Sequence, residues 1–148
     1  MKVVAQRVKE AKVVVDGEVC GTIGSGILVL LGIHKDDTPE ETSWLVNKLV
    51  NLRFFQDENG KMNLSVKDLG GEILVVSQFT LYANCNGGRR PAFIDAAPPN
   101  IAEPIYEKFV SEVKNELGRV ETGKFGAYME VSLINDGPVT VILEKKGK

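Results

Sequence analysis

The sequence predicts an α+β fold, with largely antiparallel sheets and two helices covering one face. Three observations carry this. Strand-like runs fill both ends of the chain, one of them closed by the strong hairpin signal Asp16-Gly17. Only two stretches place apolar residues at helical spacing, and further strand-like segments separate them. The chain has 148 residues, which suits one domain, residues 1–148, with one core. No repeat, low-complexity segment or second-domain linker interrupts it.

Residues 2–8 alternate and read as a first strand, and residues 11–15 as a second. The Asp16-Gly17 turn leads into a third over residues 18–23. Gly24-Ser25-Gly26 breaks the chain, and residues 27–33, ILVLLGI, read as a buried strand. A helix starts next. Thr38 can cap it, Pro39 suits the first helical position and Glu41 completes a capping box. Leu45, Leu49 and Leu52 share one face, and the helix ends near Asn51. Residues 53–56 look like a short strand, and residues 57–60, DENG, are a turn. Residues 62–66 are ambiguous between helix and strand. Gly70-Gly71 then delivers the chain into residues 73–83, ILVVSQFTLYA.

That stretch reads as a buried central strand, interrupted by Ser77 and Gln78 and resumed by Phe79, Thr80, Leu81 and Tyr82. Buried Ser and Gln need hydrogen-bond partners away from water, so they either meet a partner element or face a pocket. Residues 84–100 form a loop long enough to suggest function. Pro98, Pro99 and Asn100 open a second helix, with Ile101, Ile105, Phe109, Val113 and Leu117 on one face and Gly118 at its end. Strands follow over 119–122 and 127–134. A turn at Asn135-Asp136-Gly137 precedes a last strand over 138–143. Lys145, Lys146 and Lys148 make a frayed basic tail.

Composition narrows the function. Apolar residues make up 43% and charged residues 26%, as in a soluble globular fold. No apolar run is long enough to span a membrane. Charges break up the first fifteen residues, where a secretion signal needs a continuous apolar core. Cys20 and Cys85 form neither a metal-binding spacing nor a disulfide framework, which points to a cytosolic protein. The net charge of −2 argues against binding nucleic acid by bulk charge, while leaving room for a local basic patch.

Ordinary catalytic machinery is sparse. His34 is the single histidine, and it sits among Lys35, Asp36 and Asp37 in a solvated turn, as a surface histidine would. Histidines, cysteines and carboxylates do not cluster at metal-ligand spacing. Gly87-Gly88-Arg89-Arg90 lacks the lysine and following helix of a phosphate-binding P-loop. It reads either as a flexible basic loop or as a phosphate contact made by two guanidiniums. An enzyme of this composition would rely on backbone N–H groups, which can form an oxyanion hole without ionisable side chains, or on the substrate itself. A protein with no catalytic role fits the same search.

Two motifs add a resemblance. Ser77-Gln78-Phe79-Thr80-Leu81 and Asn135-Asp136-Gly137-Pro138-Val139-Thr140 resemble the two signature motifs of the D-aminoacyl-tRNA deacylases. Ala5-Gln6-Arg7-Val8, Val15-Asp16-Gly17, Met62-Asn63-Leu64-Ser65, Gly88-Arg89-Arg90-Pro91, Ala96-Ala97-Pro98 and Gly123-Lys124-Phe125-Gly126-Ala127 extend the likeness over nearly the whole chain. The resemblance implies a three-layer α/β/β fold and a cytosolic homodimer. It implies hydrolysis of the ester joining a D-amino acid, or mischarged glycine, to the 3′ end of tRNA, without metal or cofactor. Ser77, Gln78, Phe79 and Thr80 would line the ester site. Gly137-Pro138, joined by a cis peptide, would enter the partner's site and select chirality, with Arg7 holding it. Phe125 and Met129 would surround the terminal adenosine, and Arg89 and Arg90 would meet phosphates.

Three other readings stay open. Thr80 could act as a covalent nucleophile, although no activating base is near it in sequence. The chain could resemble the editing domain of some archaeal threonyl-tRNA synthetases, which removes L-serine. It could also be a tRNA-end-binding module with no catalysis.

Overall fold

The computed structural model describes residues 1–147. Strand β1 (Lys2–Val15) runs through what the sequence divides into two strands. The expected break is a bulge. Val8 pairs with Asn135 and Glu10 with Ile134, leaving Lys9 as the extra residue. The bulge changes which face is buried: Val3 and Ala5 face one way, Ala11 and Val13 the other. Asp16 and Gly17 both take positive φ, 51° and 80°, as a tight two-residue turn requires, and deliver the chain into β2 (Glu18–Ile23).

Strand β3 (Gly26–Gly32) follows as expected, and α1 (Glu40–Asn51) starts one residue after Pro39, which is its N-cap residue in place of Thr38 and makes no side-chain cap bond, so only the Glu41 half of the expected capping box forms. Glu41 accepts hydrogen bonds from both the backbone and the hydroxyl of Thr38, each at 2.9 Å. Burial alone would raise the Glu41 pKa, but these bonds outweigh it and hold the carboxylate below its usual range. Strands β4 (Phe55–Gln56) and β5 (Met62–Leu64) pair into a separate two-stranded sheet. The ambiguous segment ends in a short helix, α2 (Val66–Leu69), which Ser65 and Asp68 cap reciprocally. The described residues therefore form three α-helices where the sequence suggests two.

Strand β6 (Glu72–Ser77) pairs parallel with β3, and α3 (Pro99–Leu117) leads to β7 (Glu121–Thr122), parallel to β6. The sheet is thus mixed, in the order β2-β1-β3-β6-β7. Its outer strands curl until they nearly meet. Thr22 N–H donates to Glu121 Oε1 at 3.3 Å, and a β-carbon on Gly21 would lie 2.3 Å from the Thr122 carbonyl oxygen. The result is a nearly closed barrel. Val8, Leu28, Leu74 and Val76 form one apolar cluster. Val29 and Val75, on the opposite face, pack with Leu45, Leu49, Phe109 and Val113 of the two long helices. Each such fully buried side chain contributes about 1.5–3 kcal/mol. Ile101, placed on the buried face of α3 by its spacing, is 40% exposed, because the first turn overhangs the core.

Strand β8 (Glu130–Glu144) is continuous along β1, not two strands joined by a reversing turn. Between the pairs Val8–Asn135 and Gln6–Thr140, four residues of β8 oppose Arg7 alone. Residues 136–139 are therefore pushed out of the ladder, and the chain keeps its direction. The tail is not frayed at Lys145. Its N–H donates to Met1 O at 2.9 Å, and its ammonium lies 5.3 Å from the Trp44 ring. Lys148 lies outside the described residues.

Candidate active site

The polar interruption of the central stretch marks the end of a strand. Gln78 N–H donates to Leu31 O at 2.7 Å, and the chain then turns into a 3-10 helix over Phe79–Tyr82 where the sequence suggests resumed strand. Leu81 N–H donates to Gln78 O at 3.2 Å, the i→i+3 bond of such a turn. The amides of Phe79 and Thr80 precede this first bond, so the turn's own ladder does not use them. Gly32 makes room for the turn: a β-carbon there would lie 2.9 Å from Leu81 Cβ. Lys2 Nζ donates to Leu81 O at 3.4 Å and sits 5.0 Å from the Tyr82 ring, which His34 meets edge-on. Burial, with the charges of Asp37 and Glu144, holds the Tyr82 phenol above its ordinary range, so it stays neutral at physiological pH.

This turn walls a pocket of about 610 Å³. Ser77, Gln78, Phe79, Phe125 and Met129 line it together, although more than forty residues separate the two groups in sequence. Phe125 is set by Tyr106, whose buried ring lies 5.4 Å away. Met129 packs against the backbone of Gly123, where a β-carbon would approach its sulfur to 2.6 Å. Thr80 does not line the pocket. It is exposed, and its hydroxyl accepts a hydrogen bond from Gln78 Nε2, which does line the pocket. The sequence reading missed Phe93, which meets Phe79 edge-on at 5.1 Å, and Tyr128, which is 90% exposed at the rim. Their aromatic character beside two motifs was the available signal.

The long loop is tied down at two places. Asn84 and Ala92 exchange backbone hydrogen bonds of 2.7 and 2.8 Å, closing a lobe that carries Arg89 and Arg90. Ala97 N–H donates to Ile33 O at 2.9 Å, anchoring the segment before α3 to the end of β3. Arg89 and Arg90 are exposed and lie outside the pocket lining.

Arg7, Gly137 and Pro138 form a second group that lines no part of that pocket. The Gly137-Pro138 bond is cis, and both residues are exposed. Arg7 is 6% exposed beneath them. Its Nε donates to Asp136 O at 2.8 Å and its Nη1 to Phe54 O at 3.0 Å. Gly137 has φ 150°, and a β-carbon on it would lie 3.2 Å from Arg7 Nη2. Only glycine suits that position. Among the described residues, no group of three or more His, Cys, Asp or Glu could hold a metal ion, and no helix is long and apolar enough to cross a membrane.

Residues 4–144 match the model of the D-Tyr-tRNA(Tyr) deacylase family. The chain belongs to that family. It is 58% identical over 146 residues to a D-aminoacyl-tRNA deacylase of Thermosipho africanus, covering 99% of this chain and 98% of the relative. It is 57% identical over 148 residues to one of a Geobacillus species, covering 100% and 97%. A solved structure described as c-Myc DNA Unwinding Element Binding Protein superposes with a TM-score of 0.93 at 47% identity, over 99% of this chain and 100% of that one. Another, described as a probable eukaryotic D-amino acid tRNA deacylase, shares the fold with a TM-score of 0.86 at 18% identity, over 96% and 97%.

Proposed function

We propose that this chain hydrolyses the ester of D-aminoacyl-tRNA at the Ser77–Thr80 pocket, releasing the D-amino acid and tRNA. The observation that carries this reading is the end of β6. There a buried strand stops, Ser77 and Gln78 turn into an otherwise apolar pocket, and two amides lie ahead of the first helical bond. Water adds to the ester carbonyl, the carbonyl oxygen gains negative charge, and the bond to the terminal ribose oxygen breaks as that oxygen takes a proton. Backbone donors can stabilise such an oxyanion without an ionisable side chain. The ribose 2′-hydroxyl, adjacent to the ester, orients the water. Thr80 serves the wall through Gln78 and is not the nucleophile.

The protein is one domain of three layers, acting as a cytoplasmic homodimer and using no cofactor and no metal. Strand β8 supports the dimer: it is a fifteen-residue edge strand with Ile134 and Ile142 exposed, at 49% and 63%. The partner subunit's Gly137-Pro138 dipeptide enters the pocket and fills the space an L side chain would need. A D side chain points away, and glycine, having none, is also accepted. Phe125 and Met129 flank the terminal adenosine, and Arg89 and Arg90 meet phosphates.

Incubating the purified protein with matched D- and L-tyrosyl-tRNA tests this. Loss of the D-ester with the L-ester spared is expected. Binding of tRNA with both esters intact would leave a non-catalytic module, and loss of the L-ester alone an L-specific editing domain.

A further inference from the structure

The extruded loop of β8 has two limbs, and Arg7 holds only the outgoing one, at Asp136. The other belongs to Asn135. In a regular strand, Asn135 and Val139 would each bond to β1. Here Asn135 keeps its pairing with Val8, but Val139 has no partner on β1, since pairing jumps from Asn135 to Thr140. A buried or half-buried backbone group without a ladder partner needs another. The Asn135 side chain supplies it. Its Oδ1 accepts from Val139 N–H at 2.7 Å, and its Nδ2 donates to Val139 O at 3.2 Å. The primary amide thus pairs with both backbone groups of one residue, as a neighbouring strand would. The same Nδ2 donates to Thr140 Oγ1 at 3.2 Å, which also accepts from Gln6 Nε2 at 3.4 Å. That contact ties the neck to the point where the ladder resumes.

We propose that Asn135 is a positioning residue that closes the neck of this loop and so aims the Gly137-Pro138 dipeptide. Between the two holds only three residues remain, and one of them, Asp136, has its carbonyl gripped by Arg7. What projects is the dipeptide alone. Without the Asn135 amide, Val139 turns its polar groups to water. The ladder still holds Asn135 against Val8 and Thr140 against Gln6, and Arg7 still holds Asp136, but the return limb through Val139 is loose and the dipeptide moves with it. Resting on the deacylase reading above, the consequence is for selection: a dipeptide that swings no longer fills the space an L side chain needs. Asn135 touches no reacting atom, so its effect falls on discrimination between mirror-image substrates.

Asn135→Ala and Asn135→Asp, with wild type, test this by two measurements. The first is amide hydrogen exchange at Val139, which requires no substrate. Exchange should quicken about tenfold in Asn135→Ala, with the melting temperature and oligomeric state retained. The second is single-turnover deacylation of D- and L-tyrosyl-tRNA. The D-over-L ratio should fall about tenfold or more in Asn135→Ala. Asn135→Asp keeps the acceptor for Val139 N–H and loses both donors, so its ratio should lie between. Unchanged exchange in Asn135→Ala overturns the clamp. Faster exchange with a wild-type ratio overturns the positioning role, as does Asn135→Asp no better than Asn135→Ala. A wild-type protein that leaves D-tyrosyl-tRNA intact overturns the functional reading, and exchange at Val139 still decides the clamp.

Discussion

Replacing Arg7 by alanine should cost about 2–4 kcal/mol of stability, and the magnitude follows from its two acceptors. The Phe54 carbonyl is buried, so removing its donor leaves a buried acceptor without a partner, at about 1–3 kcal/mol. The Asp136 carbonyl is only partly buried, and water replaces the lost bond at a cost of about 0.5–1.5 kcal/mol. Loss of the packed aliphatic stem adds to this, while removing a buried charge offsets part of it. Asp136 Oδ2, at 4.0 Å from Nε, is half-exposed and contributes little. For a domain of this size each kcal/mol shifts the melting temperature by about 2–4 °C, so a fall of roughly 5–15 °C is expected. Urea unfolding should be followed at fixed protomer concentration, because association contributes to apparent stability. Lysine can reach one carbonyl but not both, so Arg7→Lys should recover about half of the loss. A midpoint for Arg7→Ala within about 0.5 kcal/mol of wild type, or Arg7→Lys as damaging as alanine, would refute the two-carbonyl account.

Three further sets of substitutions probe the pocket and its surroundings. Thr80→Ala and Ser77→Ala should each slow single-turnover deacylation by only about tenfold; a loss near ten-thousandfold for Thr80→Ala, with binding retained, would make it the nucleophile. Changing Arg89 and Arg90 together to alanine should weaken tRNA binding and flatten the dependence of log affinity on log salt by about 1.4–1.8, with the D-over-L ratio unchanged. An unaltered salt slope would remove the lobe from the RNA interface. Gly123→Ala should push the Met129 thioether from its place, since a β-carbon would meet its sulfur at 2.6 Å. Because methionine is flexible, the melting temperature should barely move while KM rises; a KM equal to wild type would show that Met129 does not shape the bound state.

Local chemistry made several elements legible in the sequence. Asp16-Gly17, the Leu45–Leu49 spacing and the Ile105–Phe109–Val113 ladder were each readable, because turn dihedrals and helical periodicity depend on near neighbours. The pocket was legible as a question, since Ser77 and Gln78 at the end of ILVV had to face either a partner or a cavity. Other features were decided by distant contacts. Residues 79–82 keep the composition of a strand, yet Leu31 and Gly32 of β3 capture Gln78 and start a 3-10 turn. Residues 135–137 have the composition of a reversing turn, yet β1 pairs on both sides of them, so β8 continues and the loop is extruded. Lys9 and Glu10 look like the end of a strand and form a bulge, because β8 holds both flanks. The sequence by itself determined where the backbone could turn, which faces were apolar and which family motifs were present. Tertiary structure decided how strands paired, which set Ser77 beside Met129 and Arg7 beneath Asp136. The physical reason is that hydrogen-bond partners across a sheet are chosen by the whole packed arrangement, and no local stretch encodes its partner.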